Sequence, residues 1–123
     1  MTYEYLKSLK ASHPALKLLC SDNFAMSVGL FHKIFIEDRQ KVLPQHKIVS
    51  LLDDYLYTLH QSYPDEFPKA AQAYLDDFAR AGFLRKYYAE AQEEPLYELT
   101  PHSQRVLEWI ESLRKREFYG ILR

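Results

Sequence analysis

The sequence predicts a mainly α-helical domain with one β-hairpin, and three observations lead to this fold class. Over most of the 123 residues, apolar side chains recur at the three- and four-residue spacing of helices. After Gly82 the pattern changes from helical to extended, over residues 83–88 and 96–99. The chain contains only three glycines, which argues against a loop-rich or all-β fold. At this length, one domain is expected over residues 1–123.

Two short helices are predicted in residues 1–21. The first covers residues 2–11, and the second begins at Pro14, whose missing N–H costs nothing in a first helical turn. Cys20 follows three leucines, so we expect it to be a small buried apolar residue rather than a nucleophile. As the single cysteine, it forms no intrachain disulfide.

The third and fourth helices are longer. The third, over residues 23–37, is apolar around more than half of its circumference, so it must be covered from two sides. A charged loop is predicted over residues 38–43. The fourth helix then runs from Pro44 to about Gln61.

Local signals mark the remaining elements. A fifth helix is expected from Pro68 to Gly82, since glycine readily takes the left-handed conformation of a helix C-cap. The hairpin follows directly. Thr100 and Pro101 are then typical of a helix start, with threonine as the N-cap and proline in the first turn of a C-terminal helix over residues 101–119.

Three helices, a hairpin and a further helix follow one another in the order of a winged helix. The hairpin is then the wing, and the helix before it is the recognition helix. We therefore expect a winged-helix core over residues 22–100, preceded by the N-terminal helices of residues 1–21 and followed by the C-terminal helix. A plain helical bundle whose hairpin is only a loop is the alternative.

The residues that would contact DNA argue against that function. The predicted recognition helix carries Asp76 and Asp77, which would repel phosphates, and Asp76 is expected to pair with Arg80 one turn later. The tip of the expected wing holds three carboxylates: Glu90, Glu93 and Glu94. The candidates for contact with a DNA backbone are five cations at the wing base and the end of the last helix: Arg85, Lys86, Arg114, Lys115 and Arg116.

No catalytic, cofactor-binding or metal site is predicted. The five histidines show neither i, i+4 pairs nor a cysteine partner of the kind that metal sites use. The pairs of adjacent aspartates point about 100° apart on a helix and do not share a proton. A glycine-rich phosphate loop is absent from the sequence. We therefore expect a binding protein rather than an enzyme.

A cytoplasmic location without membrane contact is also expected. No run of residues approaches the roughly 18 apolar residues of a membrane span, and the N-terminus lacks the plan of a signal peptide. The net charge of −1 is unlike that of proteins that coat anionic membranes or nucleic acids.

Association with another protein chain is the expected function of the apolar surfaces. The third helix and the last helix present more apolar surface than a chain of this length easily covers. We predict a homodimer or a tight partner, with an interface formed by six residues: Tyr5, Leu6, Met26, Leu30, Ile34 and Trp109. Alternatively, the two N-terminal helices fold back and hide these faces within one chain.

Five segments resemble a known family in the same order along the chain. They are residues 3–23, with Ser21-Asp22-Asn23 at their end, and then residues 74–78, 83–88, 97–101 and 107–113. Together these segments resemble the start of the JetA proteins of Wadjet anti-plasmid systems, which are similar to the MukF kleisins. The ordered set covers nearly the whole chain and is more specific than any single segment.

The resemblance implies an N-terminal winged-helix domain that dimerises kleisin subunits. It also implies that the chain is part of a longer subunit, in a complex with an SMC-type ATPase, a MukE-like subunit and a Toprim-like nuclease that cleaves plasmid DNA. DNA would then be contacted through the assembled complex. A dimeric winged-helix transcription regulator is the second hypothesis, because Leu99-Thr100-Pro101 resembles the helix start of such proteins.

Overall fold

The computed structural model describes the backbone of residues 1–121 and the side chains of residues 1–117. The helices in this part of the chain are α1 (Tyr3–Ser12), α2 (Pro14–Leu19), α3 (Phe24–Phe31), α4 (Gln45–Ser62), α5 (Ala71–Ala81) and α6 (Pro101–Ile121). The strands are β1 (Val42–Pro44), β2 (Leu84–Tyr87) and β3 (Leu96–Leu99). The expectation of a mainly α fold with one β-hairpin is confirmed.

α3 continues into π-helical turns over His32–Glu37, where the sequence predicted an uninterrupted α-helix. In these turns the Asp38 N–H donates to the Lys33 carbonyl, five residues earlier, at 2.9 Å. Neither proline nor glycine lies within the π-helical turns to signal the change in hydrogen bonding. Ile34 is buried by this arrangement, whereas Ile36 is exposed.

The strands form one antiparallel sheet in the order β1-β3-β2. The hairpin of β2 and β3 was predicted, but β1 lies where the sequence predicted a charged loop. β1 has three residues and ends in a proline, so its local signal is weak. It pairs with β3 such that Leu43 lies opposite Tyr97, and both side chains are fully buried. The strand therefore forms because its residues are buried against an element that is distant in sequence.

The helix boundaries follow capping chemistry. Gly82 ends α5 in the predicted left-handed conformation, with φ of 82°. The Thr100 side chain accepts a hydrogen bond from the Ser103 N–H at 3.4 Å and donates to the Gly82 carbonyl at 2.9 Å. The predicted start of α5 at Pro68 is wrong, because Ala70 is extended, with φ of −68° and ψ of 154°, and the helix begins only at Ala71.

One hydrophobic cluster joins the sheet to the helices from α2 to α6. Leu18 of α2, Phe31 of α3 and Tyr97 of β3 are fully buried in it. The Tyr97 hydroxyl donates to Oε1 of Gln45 at 3.0 Å, which satisfies the polar tip of a buried ring. α2 packs mainly against α6, and α1 packs mainly against α2. α1 therefore lies outside the core.

Candidate functional site

Three of the six predicted interface residues lie in the core, which corrects that prediction. Met26, Leu30 and Ile34 are each at most 2% exposed. They belong to one hydrophobic cluster that also contains residues of α2, α4, α5 and α6, so they are covered within one chain. The alternative expected both N-terminal helices to cover these faces, whereas only α2 contributes to the cluster and α1 does not. A partner protein is therefore not needed to bury them.

The other three predicted interface residues lie on the surface. Tyr5 and Leu6 on α1 and Trp109 on α6 are between 47% and 54% exposed. Tyr3, which was not among the predicted interface residues, is more exposed still. Tyr3 and Leu6 are three residues apart, which places them next to each other on the surface of α1. This spacing could have identified Tyr3 as a further interface candidate.

Cys20 is exposed, so the expectation of a buried apolar cysteine is wrong. It terminates α2 as its C-cap, where the chain turns toward Ser21. Leu18, two residues earlier, is fully buried in the core instead.

Charged residues on the surface of α5 form ion pairs with one another and with Lys69, which lies just before the helix. Asp77 accepts from Lys69 Nζ at 2.7 Å and from Arg80 Nη1 at 3.0 Å. The hydrogen bond from Lys69, followed by the contact with Arg80, lowers the pKa of the Asp77 carboxyl below its ordinary value. The predicted pairing of Asp76 with Arg80 is wrong, since Asp76 instead accepts from Gln72 Nε2 at 2.9 Å.

The hairpin carries two further charged contacts. Arg85 Nη1 donates to Glu98 Oε1 at 2.7 Å across the β2–β3 pair, and its guanidinium lies 4.3 Å from the centre of the Tyr87 ring. Glu94 accepts from the backbone N–H of His46 at 2.7 Å and from its ring Nδ1 at 2.6 Å. The backbone hydrogen bond is the main reason that the pKa of Glu94 is lowered.

Of the candidate DNA contacts at the end of α6, one has a carboxylate partner and the other two are exposed. Arg114 Nη2 donates to Glu111 Oε1 at 2.7 Å, and this bond lowers the pKa of Glu111. Lys115 and Arg116, like Lys86 on β2, are exposed. Of the five candidates, Arg85 and Arg114 therefore already have carboxylate partners within the chain.

The described part of the chain contains neither a metal-binding cluster nor a membrane-spanning helix. No group of three or more histidine, cysteine, aspartate or glutamate side chains is arranged there to hold a metal ion. No helix of that part of the chain has the length and hydropathy to cross a membrane.

A cavity that the sequence analysis did not anticipate opens between the start of α3 and the second half of α4. Its volume is about 520 Å³, and its lining comes from residues 22–26, from 55–63 and from 66–67. Residues 22–26 are far in sequence from residues 55–67, so no local pattern predicts the cavity. The nearest available signal was the aromatic content of residues 55–67.

Comparison with known proteins identifies the family. Residues 8–120 match the model of a family described as protein of unknown function DUF3375. A protein of Mycolicibacterium smegmatis described as uncharacterized is 32% identical over 98% of this chain. The chain spans 26% of the length of that curated relative. No solved structure matches the chain. Since the family model covers most of its length, the chain belongs to the DUF3375 family.

Proposed function

We propose that this chain is a non-catalytic winged-helix dimerisation domain of a MukF-like kleisin, in an SMC-type complex that defends against plasmids. In this proposal the domain acts in the cytoplasm and two copies join two complexes. An SMC-type ATPase and a MukE-like subunit are its partners in the full complex. DNA is contacted through the assembly rather than by this domain alone.

The surface of α1 is the observation that carries the proposal. α1 has ten residues, and isolated helices shorter than about 12–15 residues are only marginally stable in water. Every residue of α1 is described, and none of its side chains is buried. It nevertheless exposes Tyr3, Tyr5 and Leu6. A second copy packed against α1 would bury this apolar surface and stabilise the helix.

The order of elements supports the winged-helix assignment. α3, β1, α4 and α5 precede the hairpin, and the strand order β1-β3-β2 places the hairpin beside the short first strand. α5 then occupies the position of the recognition helix.

The electrostatics of the recognition face favour an architectural domain over a DNA reader. Lys69 and Arg80 already contact Asp77, and Arg85 contacts Glu98. A phosphate would have to compete with these carboxylates for each cation, and the carboxylates themselves would repel it. The M. smegmatis relative, of which the chain covers 26%, agrees with a domain that belongs to a longer subunit.

Light scattering after size-exclusion chromatography tests dimerisation. We expect twice the mass of one chain, and we expect Leu6→Asp and Trp109→Ser to yield monomers because each removes exposed apolar surface from the interface. Tyr57→Ser is the matched control, since Tyr57 is an exposed aromatic on α4 that lies outside the proposed interface. A monomeric mass at every concentration up to about 1 mM would contradict dimerisation.

Fluorescence anisotropy of labelled duplex DNA, at about 50 and 200 mM salt, separates this proposal from a dimeric transcription regulator. No binding by a dimer supports the architectural domain. Tight, salt-sensitive binding supports the regulator, and the exposed Lys86, Lys115 and Arg116 would be the residues to substitute next. Co-purification of the longer subunit with an SMC-type ATPase and a MukE-like protein tests the kleisin assignment directly.

A further inference from the structure

The cavity beside α4 is lined largely by aromatic and aliphatic side chains. Tyr55, Tyr63 and Phe67 contribute three rings, and Met26 and Leu59 contribute aliphatic side chains. The volume of about 520 Å³ lies in the range of sites that bind small ligands. None of these residues takes part in the dimer interface proposed above, so the site is independent of self-association.

Close contacts within the chain position Tyr55 and the loop that carries Phe67. Tyr55 lies against Gly29, where an added β-carbon would be 2.5 Å from its hydroxyl oxygen. The His60 ring Nε2 is 2.9 Å from the Glu66 carbonyl and 3.0 Å from the Phe67 carbonyl. Because carbonyl oxygens only accept hydrogen bonds, this Nε2 carries a proton and fixes the loop that presents Phe67. A wall ordered in advance lowers the entropic cost of binding.

The charge of the cavity has one sign. Its lining within the described residues includes two carboxylates, Asp22 and Glu66, and neither lysine, arginine nor histidine. The faces of aromatic rings also carry negative electrostatic potential, so rings and carboxylates favour the same kind of ligand. Burial raises the pKa of the Tyr55 phenol, so this ring stays neutral at physiological pH. The two carboxylates of the lining disfavour the binding of an anion.

We propose that this cavity binds an arginine side chain presented by a partner protein. A guanidinium is planar and permanently charged, so it stacks on aromatic faces while its N–H groups donate to carboxylates. The cavity offers rings from α4 and from the following loop, together with the carboxylates of Asp22 and Glu66. A metal ion is a poorer fit, because its ligands would be two carboxylates among aromatic and aliphatic groups.

Nuclear magnetic resonance titration with short blocked peptides tests the proposal. The probes are acetyl-Gly-Gly-Arg-Gly-Gly-amide, the same peptide with lysine, and the same peptide with citrulline, which has the shape of arginine without its charge. We expect the arginine peptide to shift the ring resonances of Tyr55, Tyr63 and Phe67. The citrulline peptide should bind at least about tenfold more weakly, since it lacks cation–π and charge-assisted contacts.

Substitutions of residues that line the cavity provide a second test of the proposal. Tyr63→Leu and Asp22→Asn are each expected to weaken binding of the arginine peptide several-fold, and both positions are exposed enough for the fold to tolerate the change. Tyr57→Leu is the control, because Tyr57 is an exposed tyrosine of the same helix that does not line the cavity. Unchanged resonances far from the cavity would verify that each variant is folded.

Several results would overturn the proposal. Equal binding of the arginine and citrulline peptides would show that charge is not recognised. Equal or tighter binding of the lysine peptide would exclude a guanidinium site. Tighter binding of agmatine, the free guanidinium amine, than of the arginine peptide would identify a small-molecule site instead. Absence of shifts at about 10 mM arginine peptide would exclude the site itself.

Discussion

A β-carbon at position 29 would lie 2.5 Å from the hydroxyl oxygen of Tyr55, so α3 and α4 meet at a point where only glycine fits the present ring position. The next nearest atom, Cζ of the same ring, is 3.6 Å away, which is an ordinary contact. The conflict therefore concerns a single oxygen atom.

This relationship predicts a measurable coupling between the two residues. Alanine is more favourable than glycine inside a helix by about 1 kcal/mol. We expect Gly29→Ala to stabilise the protein by about that amount in a Tyr55→Phe background, and to give no stabilisation when the hydroxyl is present. Urea denaturation of the four proteins in the cycle measures the coupling. The same effect of Gly29→Ala in both backgrounds would show that the Tyr55 ring moves at no cost.

The buried position of Ile34 distinguishes it from Leu6, although both were predicted in one interface. Ile34→Ala should lower the free energy of unfolding by about 2–5 kcal/mol, because it leaves a cavity in the core. Leu6→Ala should change the stability of the monomer by less than about 0.5 kcal/mol while weakening self-association. Urea denaturation at several protein concentrations separates the two effects, and a small, concentration-dependent effect of Ile34→Ala would contradict its place in the core.

Gly82 is constrained by its backbone and by a neighbour. Its φ is 82°, and an added β-carbon would lie 3.2 Å from Cγ of Pro14. Gly82→Ala is expected to destabilise the protein by about 1–2 kcal/mol. Gly82→Asn is the matched comparison, because asparagine has the same β-carbon but tolerates the left-handed region better. Thermal unfolding of both variants should place asparagine between glycine and alanine, whereas equal losses would assign the cost to Pro14 alone.

Glu94 and His46 predict a specific dependence of stability on pH. The pKa of Glu94 is lowered from its ordinary value of 4.5, chiefly by the backbone N–H of His46 and then by its ring. The folded state therefore gains stability from ionised Glu94 above pH 4.5, and it loses this stability as the pH falls through the lowered pKa. Glu94→Gln should make the decline in unfolding free energy below pH 4.5 shallower.

A second variant tests which bond dominates. His46→Ala removes the ring but keeps the backbone N–H, so it should reduce the acid-dependent decline less than Glu94→Gln does. Urea denaturation between about pH 3 and pH 6 provides the comparison. A larger change for His46→Ala would mean that the ring, rather than the backbone, stabilises the carboxylate.

Part of the candidate site could be predicted because it depends on amphipathic surface alone. The helical period places Tyr5, Leu6 and Trp109 next to the core-facing positions of their helices. All three are apolar and exposed. Met26, Leu30 and Ile34 have the same character in the sequence, yet they are buried in the core of the same chain. Hydrophobicity does not distinguish a surface that a partner covers from one that the same chain covers.

The sequence by itself determined the features that rest on local conformational preferences. The left-handed cap at Gly82, the start of α6 after Thr100 and the hairpin of β2 and β3 depend on neighbouring residues, and the structure contains all three. Only the tertiary structure decided the strand β1 and the cavity lined by Tyr55 and Phe67. Each of these depends on which surfaces meet across long stretches of chain, since burial arises from the packing of whole elements rather than from local residue spacing.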